Sequence, residues 1–203
     1  MGFMKRMASI AGGALLLGAS LLAPTAHAGY VVTLQEVGSD VVATGSGPID
    51  LTGLTQVSFF FGTAQVIPDF GLIETGPTSV LPQGAFGDTS GPISFGSGGF
   101  GASSGSGDLV GVDGHSHSIA VPLGYVSNSP LSDTSTYLNQ TFASLGVIPG
   151  TYEWTWGDGA NQNFTLIIGT PVSVPEPASV ALLGTALAGL LLAGSMRRRR
   201  FED

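Results

Sequence analysis

The chain has 203 residues, no cysteine, 10% charged residues, 32 glycines and 12 prolines. That length is one domain with room for short appendages, and the absence of cysteine excludes a disulfide scaffold, a thiolate metal centre and a cysteine nucleophile. The formal net charge of −8 hides a segregation: the basic residues are Lys5, Arg6, Arg197, Arg198, Arg199 and Arg200, whereas residues 29–174 hold eleven of the fourteen acidic residues (all but Glu176, Glu202 and Asp203) and no Lys or Arg. Such a body has nothing to pair with phosphate groups, so nucleic acid is excluded as a partner. Its carboxylates also lack any Lys or Arg to pair with. They are either solvated surface charge or clusters that bind Ca²⁺ weakly; no other cofactor is indicated.

At the N-terminus, Lys5 and Arg6 precede an apolar run over residues 8–23, and Ala26-His27-Ala28 sets small residues at −1 and −3 before Gly29. Basic, apolar and small-residue segments in that order read as a secretory signal. Residues 1–28 are therefore expected to engage the Sec translocon and signal peptidase, leaving Gly29 as the first mature residue.

Residues 29–174 read as one acidic all-β body. Short β-type runs at 30–36, 41–44, 49–54, 56–61, 78–81, 93–95, 109–112 and 118–126 alternate with Gly, Pro, Asp and Ser. The strongest pair is 151–156 with 163–168, a hairpin in which Asp158-Gly159 is expected to supply a positive-φ turn. The pattern predicts an antiparallel, jelly-roll-like β-sandwich of about eight to ten strands. One short helix is predicted over 134–145, capped by Asp133 or Thr134, with Tyr137, Leu138, Phe142 and Leu145 on one face and Gly146 at its end. The Gly/Ser run 96–107 is expected to be a flexible loop.

Few residues in this body suggest chemistry. Gly96-x-Gly98-x-x-Gly101 lacks the strand–helix setting of a dinucleotide site, and Gly101-x-Ser103-x-Gly105 lacks that of a nucleophile elbow. Asp113, His115 and His117 lie close enough in sequence to offer a metal two imidazoles and a carboxylate; a solvated turn is the alternative. Tyr152, Trp154 and Trp156 share one face of a strand, either as core or as a strip that stacks on sugar rings. A non-enzymatic body is expected, with a carbohydrate-binding module as the second reading and a secreted hydrolase as the third.

The C-terminus has three parts: Val174-Pro175-Glu176-Pro177, an uncharged stretch over 178–196, and Arg197 to Arg200. Nineteen uncharged residues suffice to span a bilayer core, and the arginines are expected to stay cytoplasmic, so the body sits outside the cytoplasmic membrane. The prolines hold Glu176 on extended, readable chain. This end resembles the PEP-CTERM protein-sorting domain of Gram-negative bacteria. The resemblance covers residues 174–200 and implies recognition by an exosortase, with cleavage at or near Pro175-Glu176-Pro177. It also implies exopolysaccharide or biofilm matrix as the setting, at the cell surface or outside the cell. The domains expected are thus 1–28 (signal), 29–174 (body) and 175–203 (sorting tail).

Overall fold

The computed structural model describes residues 29–169. The signal segment, the sorting motif and the expected membrane span lie outside them, as do Ala26, Ala28, Val174 and the four arginines.

Thirteen strands form the body: β1 (Tyr30–Val37), β2 (Asp40–Pro48), β3 (Thr55–Gly62), β4 (Gln65–Ile67), β5 (Leu72–Thr75), β6 (Leu81–Gly87), β7 (Phe100–Gly101), β8 (Ser104–Gly107), β9 (Val110–Asp113), β10 (Ser118–Pro122), β11 (Pro130–Tyr137), β12 (Gly150–Thr155) and β13 (Asn163–Ile168). One four-residue helix, α1 (Phe142–Leu145), joins them. They build a six-stranded sheet in the order β12-β13-β1-β2-β11-β8 and a seven-stranded sheet in the order β3-β6-β10-β9-β5-β4-β7.

Alternation explains the core. Tyr30, Val32 and Leu34 of β1, Val41 and Ala43 of β2, and Phe164, Leu166 and Ile168 of β13 face inward. They meet Val66, Ile73, Val110, Val112, Ile119 and Val121 from the other sheet in one continuous cluster. The order is not that of a jelly roll, because the consecutive strands β1–β2, β4–β5, β9–β10 and β12–β13 are in-sheet neighbours. Nor is it wholly antiparallel: β1 runs parallel to β13, with Tyr30 beside Phe164 and Leu34 beside Ile168.

The seven-stranded sheet is curled. Gly62 and Gln65 are three residues apart, a reach of at most about 11 Å. A flat sheet would hold β3 and β4, which have four strands between them, about 24 Å apart. The sheet therefore bends, its concave side turned away from the core, and the β3–β4 connection spans the opening.

Other expectations are corrected here. Residues 134–137 are strand: Leu131, Asp133, Ser135 and Tyr137 are buried and alternate with less buried neighbours, a period of two that overrides the helical spacing. The helix begins at its true cap, Thr141, in a capping box with Ser144, and stops at Gly146 in the left-handed region (φ 74°). Residues 49–54 form a loop, with Ile49 buried and the Leu51 N–H bonded to Ser127 Oγ at 2.9 Å. Strand β6 starts only at Leu81, residues 93–95 lie outside the named strands, and β10 ends at Pro122. The Gly/Ser run is no simple loop: β7 pairs with β4 in one sheet and β8 with β11 in the other, so the run crosses the sandwich. Its glycines permit close backbone approach; a β-carbon on Gly105 would stand 2.0 Å from the Gly76 carbonyl oxygen. In the β12–β13 connection, the positive-φ residues do not include Gly159. There the Gln162 side chain organises the turn, accepting from the Gly159 N–H at 2.8 Å.

Candidate functional site

The curl encloses an open cleft of about 270 Å³ on the concave face. Its floor is small-sided, because Ala85 of β6 and Ala120 of β10 lie directly opposite each other. Beside them a β-carbon on Gly111 would come within 2.6 Å of Glu74 Cγ. Phe60 and Leu72 supply apolar walls, while Gln65, Glu74, Asp113 and Ser118 supply amide, carboxyl and hydroxyl groups.

Glu74 is the unusual member, a carboxyl only 4% exposed. Its Oε2 accepts from Gln65 Nε2 at 2.7 Å. The buried Gln83 donates through Nε2 to the Leu109 carbonyl at 3.0 Å. Glu74 Oε1 and Gln83 Oε1 have no hydrogen-bond partner, and both crowd Gly62, whose β-carbon would meet them at 2.7 and 2.2 Å. Two buried acceptors converging on one point favour a proton on one of them. Burial pushes the Glu74 carboxyl above the usual carboxylate range; the Gln65 hydrogen bond opposes this and the Asp113 charge adds to it. Burial therefore shifts the balance at Glu74 toward the neutral acid, against the hydrogen bond from Gln65.

Of the residues singled out in the sequence, Asp113 lines the cleft; the others fall elsewhere or serve the fold. Trp154 is fully buried and Trp156 only 9% exposed. Their indole N–H groups donate to the Pro92 carbonyl at 2.8 Å and the Asp50 carbonyl at 2.7 Å. Tyr152 packs on Phe95 with ring centroids 5.7 Å apart. The strip is thus a core face, and the two indoles offer no platform to a sugar. Asp113 Oδ1 accepts from the N–H groups of His115 and Ser116 at 2.9 and 3.0 Å, closing the β9–β10 turn. His115 and His117 are exposed on that turn, His117 at a φ of 52° and the His115 ring 5.4 Å from that of Phe70. Among the described residues no three His, Asp or Glu side chains converge as a metal site. Ser103 accepts from the Leu138 N–H at 3.1 Å at the crossing between sheets. Gly29 is buried where β1 begins, its Cα facing Asn163.

Gln65 and Glu74 were missed as site residues because β4 and β5 were missed as strands. The signal was present: 65–67 and 72–75 are β-rich runs joined by Pro68-Asp69-Phe70-Gly71, a turn sequence between strand-like pieces.

Residues 173–200 match the PEP-CTERM protein-sorting motif. The chain carries a PEP-CTERM sorting tail. Neither the curated proteins nor the solved structures include a match. The PEP-CTERM tail makes this an exported, membrane-associated protein with an exosortase as its processing partner. The described chain leads to that tail through Gly169, whose N–H is bonded to the Leu34 carbonyl at 2.9 Å. The motif begins four residues further on, at Ser173. The strand bearing the tail, β13, is interior, paired to β1 on one side and β12 on the other. Any pull on the tail is therefore resisted by two ladders at once.

Proposed function

We propose that the PEP-CTERM protein is a non-enzymatic component of the cell surface or extracellular matrix, and that its body holds uncharged polysaccharide in the concave cleft of the curled sheet. The observation that carries this reading is the cleft itself: a floor of Ala85 and Ala120, a Phe60 ring at one wall, and Gln65, Asp113 and Ser118 as hydrogen-bonding groups. Aromatic faces against sugar C–H groups, with polar groups for the hydroxyls, are what glycan recognition requires. The charge pattern selects the class of glycan. With no Lys or Arg in residues 29–174, an anionic polymer would meet only like charge.

The earlier steps of the life history belong to the same proposal. Residues 1–28 direct export and are removed at Gly29, the span 178–196 holds the chain in the cytoplasmic membrane with the body outside, and exosortase cleavage near Pro175-Glu176-Pro177 passes the body to the surface or matrix. A display role without turnover agrees with Ser103 being held at the crossing between sheets, while Asp113 and His115 sit together in the β9–β10 turn.

Calorimetric titration of the mature protein with neutral glucans, mannans and galactans tests the proposal, with uronic-acid polymers in parallel. Binding to a neutral series, weakened about tenfold by Phe60→Ala, is the expected result. Retention of anionic polymers alone, or indifference to Phe60→Ala, would remove the cleft from the mechanism.

A further inference from the structure

We propose that β3 is a self-association edge through which two copies of this chain pair antiparallel, joining their seven-stranded sheets into one. This inference stands apart from the glycan reading and rests on how the body treats its four sheet ends. A bare strand edge offers unpaired N–H and C=O groups and is normally shortened, charged, interrupted or covered. Three of the four ends here are managed. β7 has two residues. β8 has four, all Ser or Gly. β12 carries Glu153 and is met by Ser90, which exchanges both backbone hydrogen bonds with Thr155 at 2.8 Å.

β3 is interrupted once, where its register against β6 shifts at Val57, and is otherwise unprotected. It is eight residues long and pairs only with β6 among the described residues. Its sequence, Thr55-Gln56-Val57-Ser58-Phe59-Phe60-Phe61-Gly62, contains no charge and no proline. Val57, Phe59 and Phe61 are 60%, 66% and 73% exposed. A second groove of about 340 Å³ opens on the opposite side of the strand, lined by Gln56, Phe59, Phe86 and Leu123, so β3 projects with both faces open.

Charge and area select the partner. The eleven acidic residues of the body leave β3 and its neighbour β6 neutral, so this is where two like-charged copies meet with least repulsion. A two-fold axis at Ser58 sets β3 against itself with no like charges opposed, Val57 opposite Phe59 and Thr55 opposite Phe61, favourable aromatic–β-branched cross-strand pairs. The exposed parts of Val57, Phe59 and Phe61 amount to roughly 400 Å² per copy. Two copies, with the flanking residues, then reach about 1,000 Å², the threshold of a specific interface. The chain's own tail suits the edge poorly. It leaves from the other sheet at Gly169, and Pro171, Pro175 and Pro177 cannot donate to a ladder.

The lack of native cysteine makes the test direct. The full-length chain carrying Ser58→Cys on β3 is compared, in detergent-solubilised membranes under mild oxidation, with the same chain carrying Ser106→Cys on the exposed β8 edge. A disulfide-linked species of twice the chain mass from Ser58→Cys, absent from Ser106→Cys, is expected. Adding Phe59→Glu and Phe61→Glu should abolish it while tryptophan emission, the check on folding, stays unchanged. Equal cross-linking by the two variants would overturn the proposal, as would persistence with both glutamates present. So would a Ser58→Cys chain that stays monomeric while its thiol resists maleimide, which means the chain's own tail covers the edge, or an adduct with a different protein.

Discussion

The Tyr30 hydroxyl on β1 donates to Asp133 Oδ2 on β11, reaching over the bare Gly45 of the strand between them. The two residues lie 103 positions apart, and the contact ties the strand that opens the body to one near its end. Both groups are buried. Burial is the largest influence on each: it raises the Asp133 carboxyl to about 6 against the hydrogen bond from Tyr30, and with the Asp133 charge it lifts the Tyr30 phenol above its ordinary range.

That relationship makes the fold more stable in mild acid than at neutral pH. A carboxyl whose folded value is raised binds its proton more tightly folded than unfolded. Its contribution is fully present below the unfolded value near 4 and is lost as pH rises through about 6. The buried Glu74 acts in the same direction. Unfolding free energies from denaturant titrations between pH 4 and pH 8 should fall, by at most about 3 kcal/mol for Asp133 alone. Asp133→Asn should flatten most of that slope. A midpoint that climbs with pH would contradict the assignment.

Gly45 should tolerate no side chain. A β-carbon there would lie 2.3 Å from the Tyr30 hydroxyl and 2.7 Å from Asp133 Oδ1, so Gly45→Ala must separate the pair or distort β2. The expected cost is about 1–3 kcal/mol, read by thermal unfolding. The double variant Gly45→Ala with Tyr30→Phe should recover part of it, because the colliding oxygen is gone.

How much of this was legible in the sequence differs by element. The β1, β2 and β13 runs are rich in β-branched and apolar residues and β12 alternates apolar with polar ones, and the structure places all four as strands. The sheet carrying the cleft was harder to read. Its strands β4 and β5 are three and four residues long, at or below the shortest stretch in which a period of two emerges. β6 contains Gly84 and Gly87, which read as turn signals, whereas in the sheet they lie opposite Phe59 and Thr55 of β3. Across β11 and α1, Tyr137, Leu138, Phe142 and Leu145 meet a helical template by chance, while the buried Asp133 and Ser135 break the apolar pattern of a strand. No local rule announces that Asp133 is buried, since its partner Tyr30 comes from β1.

Both tryptophans should report a dry interior. Trp154 is enclosed by Phe95 and Phe164, with centroids 6.4 and 6.0 Å away, and Trp156 is nearly covered. Native emission should be blue-shifted and protected from iodide. Trp154→Phe should keep most of the packing but strand the Pro92 carbonyl, costing about 1–3 kcal/mol. Emission typical of solvated indole would return the 152–156 face to candidacy as a ligand strip.

The charge segregation makes the processing of this PEP-CTERM protein readable by mass. Trypsin cuts after Lys and Arg, and none occurs between Arg6 and Arg197. The body should therefore survive digestion whole, even when unfolded, and its intact mass reports both ends. A chain beginning at Gly29 establishes signal removal, and an end near Pro175 to Pro177, with or without added mass, establishes exosortase cleavage in place of membrane retention. Purification from membrane and medium separates the two fates. A tryptic fragment ending at Arg197 in both fractions would mean that the tail persists as an anchor, and the proposed transfer to the surface would fall with it.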